Sequence, residues 1–303
     1  MPVITRAQQQ KQLLPGLNKI WGDTYKQYPL QWPEIFERQT SKRSFEEEQK
    51  ISLFGLAAVK AEGSPVAFAS AQEAFTARYT HITYALGFAI TEEAIEDNLY
   101  IPLAGRYTKA LSRSMVHTQE IVAAGILNNG FTSGLGGDGV VLFSTAHPLV
   151  NGGTNSNRPT TGADLNETSL DAARIQIAKW TDECGLLIQS QPTKLVIPVD
   201  YAWTAERLMK STLRVGTSDN DANAIVTTQF LPGGYVINNR LTDTNAWFLK
   251  TDVTDGLKFF ERVPPKLSDD GDWETGNMRY KSRMRFSVGW SDPLGMFGSP
   301  GVN

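Results

Sequence analysis

Ser144 and His147 stand three residues apart, a spacing at which a hydroxyl nucleophile and an imidazole base could meet. No glycine-flanked elbow surrounds Ser144, and Pro148 follows His147 directly, so the pair reads as part of a turn. A triad can be assembled from distant residues, which keeps a serine hydrolase among the competing readings. His81, His117 and His147 are the three histidines, and no two of them have metal-ligand spacing. Cys184 is the single cysteine; it falls on the apolar face of a predicted helix and reads as a small core residue. The loop Gly134-Leu135-Gly136-Gly137-Asp138-Gly139 has the composition of a phosphate cradle. A P-loop needs Lys and Ser or Thr after its last glycine, where this chain has Val140-Val141. A dinucleotide site needs a strand before the glycines and a helix after, the reverse of the order predicted here. The loop therefore reads as a flexible connector, with Gly134, Gly136 and Gly137 as hinge candidates. No catalytic residue, cofactor or metal ligand is assigned.

A second constellation is electrostatic. Over residues 278–290, Met278, Tyr280, Met284, Phe286, Val288 and Trp290 alternate with Arg279, Lys281, Arg283 and Arg285. A strand there puts one apolar and one strongly basic face on opposite sides. Four like charges along one face repel each other unless they are solvated or set against anions. The stripe is a solvated face, or it meets a neighbour's carboxylates or nucleic-acid phosphates. Glu46, Glu47 and Glu48 are candidate carboxylates for it, as are Asp269, Asp270, Asp272 and Glu274.

These residues must be held by elements that the chain can be read for. Residues 1–44 lack a core of their own. A short helix is predicted from Thr5, with Gln8 completing a capping-box pattern, to Leu14-Pro15-Gly16. Trp21, Tyr25, Tyr28, Trp32 and Phe36 follow, broken by Pro29 and Pro33. Trp21 and Trp32 are candidates for docking on a neighbour, the alternative being the rest of their own subunit. Residues 50–59 and the alternating run 82–90 read as two strands of a long excursion, with a turn at 61–65 and Lys60 near the tip. A lone hairpin is marginal in water and needs a partner surface.

Thr91 caps a long helix with an apolar face at Ile95, Leu99, Leu103, Tyr107, Leu111 and Met115. Pro102 should kink it and is a further hinge candidate; Asn129-Gly130 ends it. After a polar loop over 151–166, residues 167–250 read as α/β. They carry a helix through Leu170, Ala173, Ile177, Trp180 and Cys184 and a strand at 195–197. A helix capped by Asp200 follows, then strands at 225–230 and 246–250. A closing hairpin pairs 257–263 with 278–290 across an acidic turn.

A chain of 303 residues can bury a sizeable core as one large domain or two medium ones. Its net charge of −3 carries no like-charge block suited to specific nucleic-acid recognition or a membrane surface. One cysteine cannot form an internal disulfide, and no apolar run reaches transmembrane length, so the reading is cytoplasmic with no membrane partner.

The order of parts and three local runs resemble a known family. The runs are Gly137-Asp138-Gly139 leading to Leu142-Phe143-Ser144-Thr145-Ala146-His147-Pro148, then 256–262 (GLKFFER), then 286–293 (FSVGWSDP). The chain resembles the major capsid proteins of tailed bacteriophages with the Hong Kong 97-like fold, closest to the Mu-like major head subunit branch. The resemblance implies an α+β fold. It has an N-terminal arm (1–44), an extended β-hairpin loop (45–80), a peripheral domain with a spine helix (81–138) and an axial domain (139–250). Residues 251–303 close the peripheral domain with a β-hairpin and tail. It also implies self-assembly into pentamers and hexamers of an icosahedral shell around non-specifically packaged double-stranded DNA. Portal and possible scaffolding or decoration proteins would be the partners. The product is a virion component assembled in the host cytoplasm. A nanocompartment shell of the encapsulin type, which would share the fold, is the competing reading.

Overall fold

The computed structural model describes residues 6–91, 93–94, 100–213, 221–272 and 274–302. A long sheet is its first organising element. It has the order β1 (Glu37–Thr40), β10 (Leu257–Gly271), β11 (Met278–Trp290) and β4 (Ile82–Ile90), with β1 parallel to β10 and the rest antiparallel. The alternation in β11 sets its faces as expected. Met278, Tyr280, Met284 and Phe286 are buried while Arg279, Lys281 and Arg283 are exposed. On the buried face lies α2 (Tyr100–Asn128), about 43 Å long at helical rise. Its Leu111, Met115 and Leu127 pack with Met284, Phe286 and Phe259.

The N-terminal segment is one helix, α1 (Arg6–Gln27), not a short helix stopped at Pro15-Gly16. Apolar burial explains its continuation: Leu17 is buried and Ile20 and Trp21 pack on the core. Hydrogen bonds tie it to α2: Ser112 Oγ donates to the Trp21 carbonyl at 3.0 Å, and Tyr25 OH to Gln119 Oε1 at 2.5 Å. Beyond it, Glu120 accepts from the amide of Gln31 at 2.7 Å. Burial raises the Glu120 pKa, against the pull of those amide bonds. The arm thus docks on its own subunit.

A second sheet has the order β12 (Met296–Ser299), β9 (Trp247–Thr251), β7 (Pro192–Ile197) and β8 (Tyr235–Ile237). The apolar run Leu195-Val196-Ile197 is fully buried in it. Helix α3 (Glu167–Ala178), capped by a reciprocal Asn166–Ser169 box, covers it with Leu170, Ala173 and Ile177. Helix α4 (Ala202–Lys210) adds Ala205. Two expectations fail here. The β-branched run at 225–230 is a short helix, α5 (Ala224–Thr227), because Asn223 caps it by accepting from the Ile225 amide at 3.1 Å. The Asp200 cap is not made; α4 follows a 3-10 turn and has no side-chain cap.

The C-terminal residues divide between the sheets: β11 belongs to the first, β12 to the second. The links 252–256 and 291–295 run side by side between them. Ser291 N donates to Gly256 O at 3.2 Å and Asp292 N to Asp255 O at 2.8 Å. A Cβ on Gly295 would lie 2.3 Å from Gly256 Cα, so position 295 needs glycine for the links to touch, and one on Gly256 would be tight at 3.0 Å from Gly295 Cα.

Candidate assembly interface

The excursion at 45–80 is a hairpin of β2 (Phe45–Ile51) and β3 (Glu73–Thr80). Its second strand is not the 82–90 run, which stays in the long sheet. The break is at His81, a buried residue between β3 and β4 whose Nε2 lies 2.8 Å from Ser41 Oγ and whose Nδ1 lies 2.9 Å from Ser287 Oγ. Between the hairpin strands every residue from 53 to 72 is exposed, Lys60 among them.

The hairpin base sits on the body through a polar seam. Strand alternation turns Glu46, Glu48 and Lys50 to the same side. Glu46 accepts from Ser41 Oγ at 2.6 Å. Glu48 accepts from Lys258 Nζ at 2.5 Å and from Ser291 Oγ, which also meets Tyr79 OH. Lys258 reaches Asp255 at 2.6 Å. Lys50 lies 2.9 Å from Asp292 and 3.2 Å from Glu183. Burial opposes both ammonium groups, but these carboxylates outweigh it and raise the pKa of each lysine. Apolar contact at the seam is small: Ala77, Tyr79 and Phe260. A cavity of about 20 Å³ lined by Lys50, Asp138, His147, Glu183 and Trp290 lies alongside.

Several sequence-derived candidates take other roles. Glu46 and Glu48 are spent inside the subunit and Glu47 pairs with Arg78, so this triplet is not a free acidic patch for a neighbour. Trp32 is a core residue, stacked on Phe259 with centroids 3.9 Å apart, because its ring fills the space between the arm and the long sheet. Trp21 stacks on Tyr25 and packs against the same core. Gly136 and Gly137 are wedged: a Cβ on Gly137 would lie 2.6 Å from Thr76 O, and one on Gly136 2.7 Å from Trp290 Nε1. They permit close packing of loop on hairpin. Gly134 takes φ +84°. Pro102 lies within α2. The helix predicted through Ile95 and Leu99 falls at 95–99, outside the described residues. Cys184 is not on a helix face; it lies in the turn after α3, its Sγ 2.9 Å from Leu53 O.

The basic stripe is present. Arg279 pairs with Asp272, and Lys281, Arg283 and Arg285 make no ion pair among the described residues. Lys266 stands directly across from Arg283, and Ala85 and Gly87 flank the other side. The residues that the sequence reading missed are Lys258, Asp255, Glu183 and Asp292. Only the period-two spacing of Glu46, Glu48 and Lys50 could have hinted at a buried seam.

His147 holds Asp138 at 2.6 Å through Nδ1, while Nε2 meets Leu142 O and Asn157 Oδ1 at 3.2 and 3.1 Å. Ser144 Oγ accepts instead from the Ala146 amide at 3.2 Å.

A family model described as phage capsid protein matches residues 73–298, most of the chain. The chain belongs to the phage capsid protein family. This capsid protein is a shell-building subunit of the major capsid type, and the virion capsid is its place. Its fold is similar to that of solved shells. A virus-like particle from Pyrococcus furiosus matches with TM-score 0.54 at 10% identity, covering 94% of this chain and 98% of that one. The Mycobacterium phage Che8 structure matches with TM-score 0.53 at 12% identity, covering 88% and 89%. The capsid of a native GTA particle matches with TM-score 0.54 at 14% identity, covering 88% of each. A comparison with curated proteins finds no match.

Proposed function

We propose that this capsid protein builds its shell by laying the 45–80 hairpin across a neighbouring copy. The exposed apolar tip carries this reading. Leu56 is 85%, Val59 101% and Phe68 96% exposed, with Leu53, Phe54 and Val66 also open to solvent. An apolar run held off its own subunit needs another surface to cover it. The copies would form pentamers and hexamers around double-stranded DNA, with portal and scaffolding or decoration proteins as further partners and assembly in the host cytoplasm. The arm (1–44), loop (45–80), peripheral parts (81–138 and 251–303) and axial part (139–250) are the working division, with β12 lent to the axial sheet. The runs at 256–262 and 286–293 support placement near the Mu-like branch. The family match favours a phage head over a cellular compartment. The engagement of both His147 nitrogens away from Ser144 supports a subunit without hydrolase activity. The unpaired part of the stripe supports a contact with a neighbour's carboxylates or with packaged phosphates.

Replacing residues 53–72 by a short turn tests the main reading. A folded chain that forms no closed shells under the electron microscope is expected. Normal shells would overturn it.

A further inference from the structure

The seam beneath the hairpin has an unusual chemistry for a fixed contact. Most of its contacts are ionic or hydroxylic. Glu46 meets Ser41, Glu48 meets Lys258 and Ser291, and Lys50 meets Asp292 and Glu183. The buried apolar share is one small cluster of Ala77, Tyr79 and Phe260, joined by Phe75 at the cavity wall and by Thr76 packed on Gly137. An apolar seam resists opening because opening exposes oil to water. A charged seam regains hydration when it opens, so its closed and open states lie closer in free energy. The neighbouring cavity of about 20 Å³ has room for one water, and Trp290 Nε1 on its wall is buried without a hydrogen-bond partner.

The covalent connections suit a swing. Two short segments join the hairpin to the long sheet: 41–44 on one side and the single residue His81 on the other. Both meet at one point, where Ser41 bonds His81 and Glu46. Within the hairpin, β2 and β3 pair antiparallel without a break from the pair Phe45 and Thr80 to the pair Gln49 and Thr76, with a register shift only beyond Gln49, so its base can move as one piece. We propose that the hairpin is a latched arm. The pairs Glu48–Lys258 and Lys50–Asp292/Glu183 hold it in one orientation, and their release lets it pivot at 41–44 and His81. The inference rests on the hairpin being the element that meets a neighbour. It adds that the subunit itself sets the arm's angle before contact.

Spin-label distance measurement on the full chain tests the latch. Labels go at Glu73→Cys on the hairpin and Ala178→Cys at the end of α3, in a Cys184→Ser background. Labelled chain is diluted into unlabelled chain so that only distances within one subunit are read. The parent should show one narrow distance. Glu48→Gln with Lys50→Gln should broaden it or add a second distance, with unchanged circular dichroism. Glu48→Gln alone keeps the side-chain shape and serves if the double variant does not fold; it should broaden the distance in the same direction. An unchanged narrow distance in the variants would overturn the latch, as would a broad distance in the parent. The readout does not need shells, so a failure here is separate from a failure of the loop-deletion experiment.

Discussion

Lys258 Nζ lies 2.5 Å from Glu48 Oε1, joining a strand of the long sheet to the hairpin that projects from it. The lysine side chain is only 2% exposed. A buried charge left without its partner is costly, and the usual loss is about 3–5 kcal/mol. Asp255 would still pair with Lys258, and Glu48 is partly open to water, so the loss falls below that range. Glu48→Ala should lower stability by about 1.5–3 kcal/mol in urea unfolding, the usual worth of a hydrogen bond to a charged group. Burial works against the Lys258 ammonium, and the bonds to Asp255 and Glu48 more than offset it, so its pKa is raised. Its contribution is then full below pH about 10.4, the ordinary lysine value, and is lost as pH rises through the raised value.

His81 sets an acid limit. Its pKa is lowered by burial first, then by Arg285 and Arg262, with Glu46 opposing. The folded chain refuses a proton that the unfolded chain accepts, so stability falls as pH drops below about 6.5. His117, also lowered by burial with Arg240 and Arg113, acts in the same direction. His81→Gln keeps a polar link to Ser41 and Ser287. It should flatten part of the pH dependence of the urea midpoint as pH falls below about 6.5. An unchanged slope would show that His81 does not contribute.

Trp32 tests the docking of the arm. It is 3% exposed and stacked on Phe259. Trp32→Ala should cost about 3–5 kcal/mol in the isolated chain. A variant of unchanged stability that fails only in assembly would return Trp32 to the neighbour-contact role expected from sequence.

The stripe is tested by Lys281→Glu with Arg283→Glu. Both side chains are exposed, so the fold should persist. Weaker assembly, with added salt weakening wild-type assembly in the same direction, marks a neighbour's carboxylates. Normal shells with poor DNA packaging mark phosphates. No change in either marks a solvated face.

Strand β11 was legible because burial on one side and water on the other leave a period of two over residues 278–284. The seam was not legible. Glu46-Glu47-Glu48 looks like any solvated charge run, and the seam's far partners, Lys258 for Glu48 and Glu183 and Asp292 for Lys50, lie more than 130 positions away in the chain. Pro15-Gly16 reads as a helix stop on local propensity, and packing of Leu17, Ile20 and Trp21 on α2 overrides it. Residues 225–230 misread as a strand for a similar reason: Val and Ile favour strands weakly, and the Asn223 cap decides the outcome. The glycines at 136 and 137 suggested freedom where the fold uses them for close contact, a distinction that depends on Thr76 and Trp290 arriving from elsewhere.

The paired links 252–256 and 291–295 have a mechanical consequence. They are hydrogen-bonded side by side and touch at Gly256 and Gly295, so they act as a double-stranded strap between the two sheets. The β10–β11 ribbon extends from that strap for about 40 Å. A rotation of about 10° at the strap would carry the far end of a ribbon that long by roughly 7 Å. A modest local adjustment between the sheets is thereby geared up into a displacement the size of a side chain at the far end of the ribbon, where Arg279 begins the basic stripe.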